Sequence, residues 1–350
     1  MSKWINASKE ERLVMLREVA SRKQIVNNAV EKDWWVTMTL KALFRLPCAP
    51  YLLFKGGTSL SKGWDVIHRF SEDIDLTLYR QFFADVRHRS YAACENNQQV
   101  KLLRKDSRDY IIGELCPMLE AVLKQMGVTD FRLEPVVETK QADGTIRPID
   151  HDCDPTALLL HYPSVLSTQL AYVAPTVKIE ISCLSMNEPY EQRPISSLLY
   201  EAFPEEDDEL SLTIPTVLPS RTFLEKTFLL NEEFQRRAPR SIRMSRHLYD
   251  IEKLMGTHWG EDALRDRALY EKIVEHRRKF YHVGGVDYDK DYPQEIRFVP
   301  QGDLAERYRA DYDDMLHTYI YDKASALTYE ELIGRLETLE ELFHKENRSE

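Results

Sequence analysis

A chain of 350 residues, 43% hydrophobic with 12 Gly and 16 Pro, has the stock for a sizeable core. Its length suits about two domains, and low-complexity or collagen-like classes are excluded. The 58 acidic and 47 basic side chains leave a net charge of −11, which argues against a protein that coats nucleic acid with a basic surface. No apolar run approaches the ~18 residues of a membrane helix, and residues 1–11 (MSKWINASKEE) lack the apolar region of a secretion signal. Cys48, Cys94, Cys116, Cys153 and Cys183 are odd in number and never form a C-x-x-C pair. A disulfide framework or structural zinc site is therefore not expected, and a reducing cytoplasm is.

In chain order, the first 45 residues read as helix. Ser8 with Glu11 is a capping-box signature, and a second helical stretch carries Trp34, Trp35, Met38, Leu40, Leu43 and Phe44 before Pro47 and Pro50 stop it. Tyr51–Phe54 is a short apolar strand running into Gly56-Gly57, and Phe70–Leu78 alternates as a strand. Residues 91–126 are expected to be helical. Strands follow at Phe131–Val137, Ala157–His161, Val177–Ser182 and Leu210–Ile214, with Pro135 confining the first of them to a sheet edge. After Pro219 the chain reads as helix, ending in a helix capped by Thr328 and Glu331 with Leu332, Leu336, Leu339 and Phe343 on one face. The expected fold is α+β: a mixed sheet flanked by helices over residues 1–215, then a helical lobe over residues 216–350.

Charge is clustered despite the acidic balance. Five of the eleven residues from Arg236 to Arg246 are arginine. Lys101, Arg104, Lys105 and Arg108 form a second group, His276–Lys279 a third, and Glu205–Glu209 opposes them. Each basic group reads either as a solvated helix face or as part of a local groove for phosphates.

The chemistry concentrates in two segments, Lys55-Gly-Gly-Thr-Ser-Leu-Ser-Lys62 and Arg69-Phe-Ser-Glu-Asp-Ile-Asp-Leu-Thr-Leu78. On a strand, Asp73 and Asp75 project to one face and Ile74, Leu76 and Leu78 to the other, with the two carboxylates about 7 Å apart. Anions that close call for a cation between them, and a hard divalent ion with oxygen ligands suits. A strand that ends in Gly-Gly and enters a helix frees backbone N–H groups for an anion. A Walker phosphate loop is excluded, because Ser61 rather than Gly precedes Lys62 and Gly63 follows it. Val177–Ser182 puts Lys178, Glu180 and Ser182 on one strand face, so Glu180 is a candidate third carboxylate for a metal site. The alternative places it on an outward face beside Lys178.

These runs, GGTSLSK and RFSEDIDLTL, resemble the AbiEii/AbiGii nucleotidyltransferase toxins of bacterial toxin–antitoxin systems, a group that includes the MenT enzymes and belongs to the polymerase-β-like nucleotidyltransferase superfamily. The resemblance is strong over Lys55–Leu78 and continues weakly through Lys178–Glu180, Leu224-Glu225-Lys226 and Arg246-His247-Leu248-Tyr249-Asp250. The spacer Thr58–Glu72 is longer than the superfamily pattern. The resemblance implies that Asp73, Asp75 and Glu180 hold Mg²⁺ (or Mn²⁺), and that Gly56, Gly57, Ser59 and Lys62 bind the nucleotide. It also implies that Lys226 contacts the nucleotide phosphates, that Asp250 is an active-site acid, and that the helical lobe closes an active-site cleft.

The implied activity is transfer of NMP from an NTP to an RNA acceptor, foremost the tRNA 3′ end, by a toxin that a cognate antitoxin neutralises. No membrane partner is expected. A phosphotransferase on the same fold and a non-catalytic nucleotide-sensing module are the alternatives. His151-Asp152-Cys153-Asp154 reads as a turn, and Trp34 and Trp35 as packing residues.

Overall fold

The computed structural model describes residues 3–91, 94, 96–141, 144–168, 173–204, 211–281, 283–318, 320 and 325–345. The acidic run Glu205–Glu209 lies outside the described residues, as does Leu210 at the start of the last expected strand. Contacts divide the chain into two compact units. The first is Met1–Gly63 with Ser71–Thr216, and the second is Trp64–Phe70 with Val217–Glu350.

The first unit begins with helices α1 (Lys3–Asn6), α2 (Lys9–Lys23) and α3 (Asn27–Leu43). The capping box forms: Ser8 Oγ accepts from the Glu11 N–H at 3.2 Å, and Glu11 Oε2 accepts from the Ser8 N–H at 2.7 Å. α3 is buried along nearly its whole length, so its apolar residues run round the helix instead of forming one stripe. Trp34 and Trp35 pack inside the unit as expected, Trp35 stacking on Tyr162 at 4.7 Å.

β1 (Leu52–Lys55) leads into α4 (Gly56–Lys62), and β2 (Ile74–Leu78) returns antiparallel to β1. Helices α5 (Gln81–Asp85), α6 (Asn97–Tyr110) and α7 (Cys116–Gln125) follow, the last two joined by one π-helical stretch, Ile111–Leu115. Then come β3 (Arg132–Pro135), β4 (Glu138–Lys140), β5 (Ile146–Pro148), β6 (Thr156–His161), β7 (Thr176–Ser182), β8 (Tyr190–Ser196), α8 (Leu198–Ala202) and β9 (Ser211–Val217). The seven-stranded sheet runs β3-β6-β7-β2-β1-β9-β8, while β4 and β5 form a separate two-stranded ladder. The β2–β7 and β1–β9 pairs are parallel, and β3–β6, β6–β7 and β1–β2 are antiparallel. This is a mixed α+β sheet with helices packed on it. β3, with Pro135, takes the edge position its proline allows.

Two strand expectations need correction. The strand expected at Phe70–Leu78 starts only at Ile74, because Phe70 belongs to the second unit and Glu72 is tied by its side chain to α3. β8 was not foreseen, since its exposed polar residues and Pro194 mask the strand pattern.

Three consecutive charged residues of α3 hold distant segments of this unit. Glu31 accepts from Ser164 Oγ at 2.5 Å and from the Val165 N–H at 2.7 Å. Lys32 pairs with Glu72 at 2.5 Å and donates to the Ala174 carbonyl at 3.1 Å. Asp33 pairs with Lys62 and accepts from the Leu198 N–H at 2.7 Å. Buried charges persist when they are paired in this way.

The second unit gathers residues 64–70 and helices α9 (Pro219–Phe234), α10 (Ser245–Met255), α11 (His258–Arg265), α12 (Arg267–Phe280), α13 (Asp303–Thr318) and α14 (Tyr329–Lys345). Pro219 opens α9, where its missing N–H costs nothing. The core surrounds α9: Phe228 meets Tyr270 edge-on at 4.9 Å, and Phe223 stacks on Phe343 of α14 at 6.3 Å. Leu332, Leu336, Leu339 and Phe343 are all buried, and Thr328 and Glu331 cap α14 by mutual hydrogen bonds. Trp64 is anchored here by its indole N–H to the Val217 carbonyl at 2.9 Å and by an edge-on contact with Trp259. Among the described residues no helix is long and apolar enough to cross a membrane.

Candidate active site

In the first unit the site is built from the ends of β1, β2 and β7. Asp75 is the register partner of Lys55 on one side and of Glu180 on the other, so the three side chains stand on one face of the sheet. All three are half-buried, while Ile74, Leu76, Ile179 and Ile181 on the opposite face are fully buried. Neighbouring strands lie about 4.8 Å apart, which brings the carboxylates of Asp75 and Glu180 side by side. Lys178, two residues before Glu180 on the same face, pairs with it at 2.8 Å. Asp73 lies just outside β2, half-buried, and its carbonyl accepts from Thr58 Oγ1 at 2.5 Å.

Gly56 is required twice over. Its φ of +80° is a conformation that side chains rarely adopt, and a Cβ there would meet Asp75 Oδ2 at 2.1 Å. The Asp75 carboxylate therefore rests against the bare backbone at the start of α4. No side chain caps that helix, so its first N–H groups are not taken by a capping side chain. Thr58 stitches the loop to the acidic segment, sharing a 2.9 Å hydrogen bond with Ser71 Oγ. That stitch lets the long spacer bulge away while Gly-Gly and Asp-x-Asp stay together.

Two expected nucleotide contacts point elsewhere. Ser59 is fully buried, and its hydroxyl donates to the Gly56 carbonyl at 2.8 Å. Lys62, 8% exposed in its side chain, is committed to Asp33 of α3. Both side chains brace the loop in this conformation, Lys62 through a half-buried carboxylate of α3 that local sequence does not reveal.

Asp154 was missed, having been read as a turn residue. The turn is there, but the Asp154 carboxylate accepts from Ser182 Oγ at 2.6 Å and from the Cys183 N–H at 2.9 Å. Burial raises its pKa against the pull of those bonds and of the Lys55 charge. Asp154 thus fixes the end of β7 just beyond Glu180.

The second unit holds another charged cluster. Asp250, 0% exposed, receives Arg69 Nε and Nη2, both at 2.7 Å, and Lys226 Nζ at 2.8 Å. Lys226 Nζ also lies 3.4 Å from His247 Nδ1. Burial works to raise the Asp250 pKa, but Arg69 and Lys226 outweigh it and hold the carboxyl well below the usual range. Burial likewise lowers the Lys226 pKa, with Asp250 opposing, and pushes His247 well down, aided by the Lys226 and Arg246 charges. The Lys226 amine is therefore not snorkelling into water. Arg69 and His247 stand within the runs quoted for the resemblance but were given no role, and nothing in Ile67-His-Arg-Phe70 marks Arg69 as buried.

Residues 39–343, through both units, match the family model described as nucleotidyl transferase AbiEii toxin, type IV toxin–antitoxin system. The chain belongs to the AbiEii nucleotidyltransferase toxin family. Among solved structures it is similar to MenT4, a nucleotidyltransferase toxin from Mycobacterium tuberculosis H37Rv, at 16% identity and a TM-score of 0.43. That match covers 95% of this chain and 97% of the other. No curated protein matches the chain.

Among the described residues no group of three or more His, Cys, Asp or Glu side chains stands ready to hold a metal ion. The donor chemistry nevertheless fits a hard divalent ion. Mg²⁺ commonly takes one or two carboxylates and completes its shell with phosphate oxygens and water. Asp75 and Glu180, adjacent by register, offer that pair of carboxylates.

Proposed function

We propose that this AbiEii-family toxin moves the nucleoside monophosphate of an NTP onto an RNA hydroxyl, at the 3′ end of tRNA, in a reaction dependent on Mg²⁺ or Mn²⁺. It acts in the cytoplasm and is held in check by a cognate antitoxin. The observation that carries the reading is the pairing of Asp75 with Glu180 on one sheet face, directly against the Gly56 turn. The oxygen of the acceptor hydroxyl attacks the α-phosphorus, and the bond to pyrophosphate breaks.

A divalent ion, when bound, neutralises phosphate charge and polarises the reacting oxygens. Asp75 and Glu180 would supply its protein oxygens, and Asp73 is proposed as the third. The Gly56-Gly57 turn orients the phosphates through backbone N–H groups.

The test uses each NTP labelled at the α or the γ phosphorus, with Mg²⁺ and total RNA. The α label should enter RNA, and Asp75→Ala should abolish that transfer in a folded protein. Glu180→Gln should slow it on the order of tenfold or more. Movement of the γ label instead would replace this reading with phosphotransfer. Nucleotide binding without movement of either label would replace it with a sensing module.

A further inference from the structure

The loop joining α9 to α10, residues 235–244, carries Arg236, Arg237, Arg240 and Arg243 and not one acidic side chain. Arg307 of α13 adds a fifth guanidinium, its Nη1 donating to the Pro239 carbonyl at 3.3 Å. Two carboxylates hold this loop from beneath. Glu233, 2% exposed, accepts from the Arg240 N–H at 2.8 Å, Nε at 3.0 Å and Nη2 at 2.7 Å. Asp311 accepts from the Arg243 N–H, from the Ser245 N–H at 2.8 Å and from Ser245 Oγ at 2.5 Å. Glu233 also pairs with the guanidinia of Arg240 and, at 3.6 Å, Arg236, so two carboxylates face five guanidinia and the patch keeps a surplus of positive charge on a chain whose net charge is −11.

Arg237, Arg240, Arg243 and Arg307 are exposed, and Arg237 has no hydrogen-bond or ion-pair partner among the described residues. Ile242, 84% exposed, stands among them. We propose that this arginine loop is a docking surface for an RNA strand with unpaired bases. The proposal rests on the reading above in which RNA is the acceptor.

Three features of the loop select that partner. The forked, always-charged guanidinium matches phosphate oxygens two at a time, and the loop contains arginine to the exclusion of lysine. Phosphate contacts position a polynucleotide without reading its sequence, which suits an enzyme that engages a shared end. Ile242 offers apolar surface that a splayed base can cover, and single-stranded segments are where RNA presents such bases. The carboxylate bracing means that little loop ordering remains to oppose binding.

The experiment measures the affinity of a fluorescent single-stranded RNA and of bulk tRNA by anisotropy, without NTP, between about 50 and 200 mM salt. Arg237→Ala with Arg243→Ala should weaken binding of both RNAs about tenfold. It should also lower the log–log salt slope by about 1.4, or ~0.7 for each lost phosphate contact to a single strand. Arg17→Ala with Arg132→Ala, exposed arginines of the first unit, should change neither quantity, and thermal melting checks that both variants fold. An unchanged slope and affinity in the loop variant overturns the proposal. So does poly-glutamate that displaces RNA as well as an equal charge of poly-uridylate, which would mark the loop as a surface for an acidic protein. Because no NTP is present, these outcomes are independent of the Asp75→Ala transfer test: either reading can fail while the other stands.

Discussion

Gly56→Ala displaces the Asp75 carboxylate. The new Cβ would stand 2.1 Å from Asp75 Oδ2, 2.8 Å from its Cγ and 2.9 Å from its Cβ, whereas real Cβ contacts essentially never fall below 3.0 Å. The Asp75 Cβ is fixed to the β2 backbone, so the carboxylate and the strand end shift together by about 1 Å, and misplacements of that size cost on the order of 10²-fold in rate. The backbone contributes separately, since a left-handed conformation costs a residue with a Cβ about 1–2 kcal/mol. Gly285 is the internal control: its φ is also +80°, and nothing lies within 4 Å of its would-be Cβ. Urea denaturation should show a loss of about 1–2 kcal/mol for Gly285→Ala and a larger one for Gly56→Ala. The labelled-NTP assay should show a rate loss near a hundredfold for Gly56→Ala and none for Gly285→Ala. A folded Gly56→Ala protein with the wild-type rate would refute the claim that the Asp75 carboxylate must rest where this structure puts it.

Two buried acids of the second unit should report in opposite directions. Asp250→Asn leaves Arg69 and Lys226 without their counter-charge, a loss expected to cost about 3–5 kcal/mol in urea denaturation near neutral pH. Because the folded pKa of Asp250 is depressed, that contribution is complete above the unfolded value of about 4 and disappears as pH falls through the lower folded value. The gap between wild type and variant should therefore hold from pH 7 to pH 5 and close in stronger acid. Asp291 is the reverse case, its pKa pushed up to about 7 by burial and then by the Glu232 charge. The folded protein keeps a proton there that the unfolded chain releases near pH ~4, so this group makes stability fall as pH rises from about 4 to about 7. Asp291→Asn, still bonded to Asn231, should flatten that slope and be the more stable protein at pH 8; equal slopes would show that Asp291 is ionised in the fold.

The parts of the site legible in sequence were those with a local signature. Gly-Gly after an apolar strand and the alternation of Ile74-Asp75-Leu76 state their conformation within a few residues, and Val177–Ser182 declares the face of Glu180 in the same way. The parts that were not legible depend on partners far along the chain. Whether Lys62 points toward a ligand or into the protein is settled by Asp33, on a helix that sequence patterning identifies only as buried. Phe70 has the apolar character of a strand residue, yet residues 64–70 pack with the second unit, where Arg69 meets a carboxylate 181 positions away. β8 was invisible for a different reason, because an exposed strand at the end of the sheet order needs no alternation of apolar residues.

The parallel pairing of β2 with β7 also sets a clock. Asp75 is made early and Glu180 roughly a hundred residues later, which at ordinary elongation rates of about 5–20 residues per second is a delay of about 5–20 s. Until Thr176–Ser182 has left the ribosome, β2 has no partner on that side, and Asp75 faces no second carboxylate. Asp33 waits longer still, for the N–H of Leu198. A nascent chain therefore carries half of this acidic pair through much of its own synthesis.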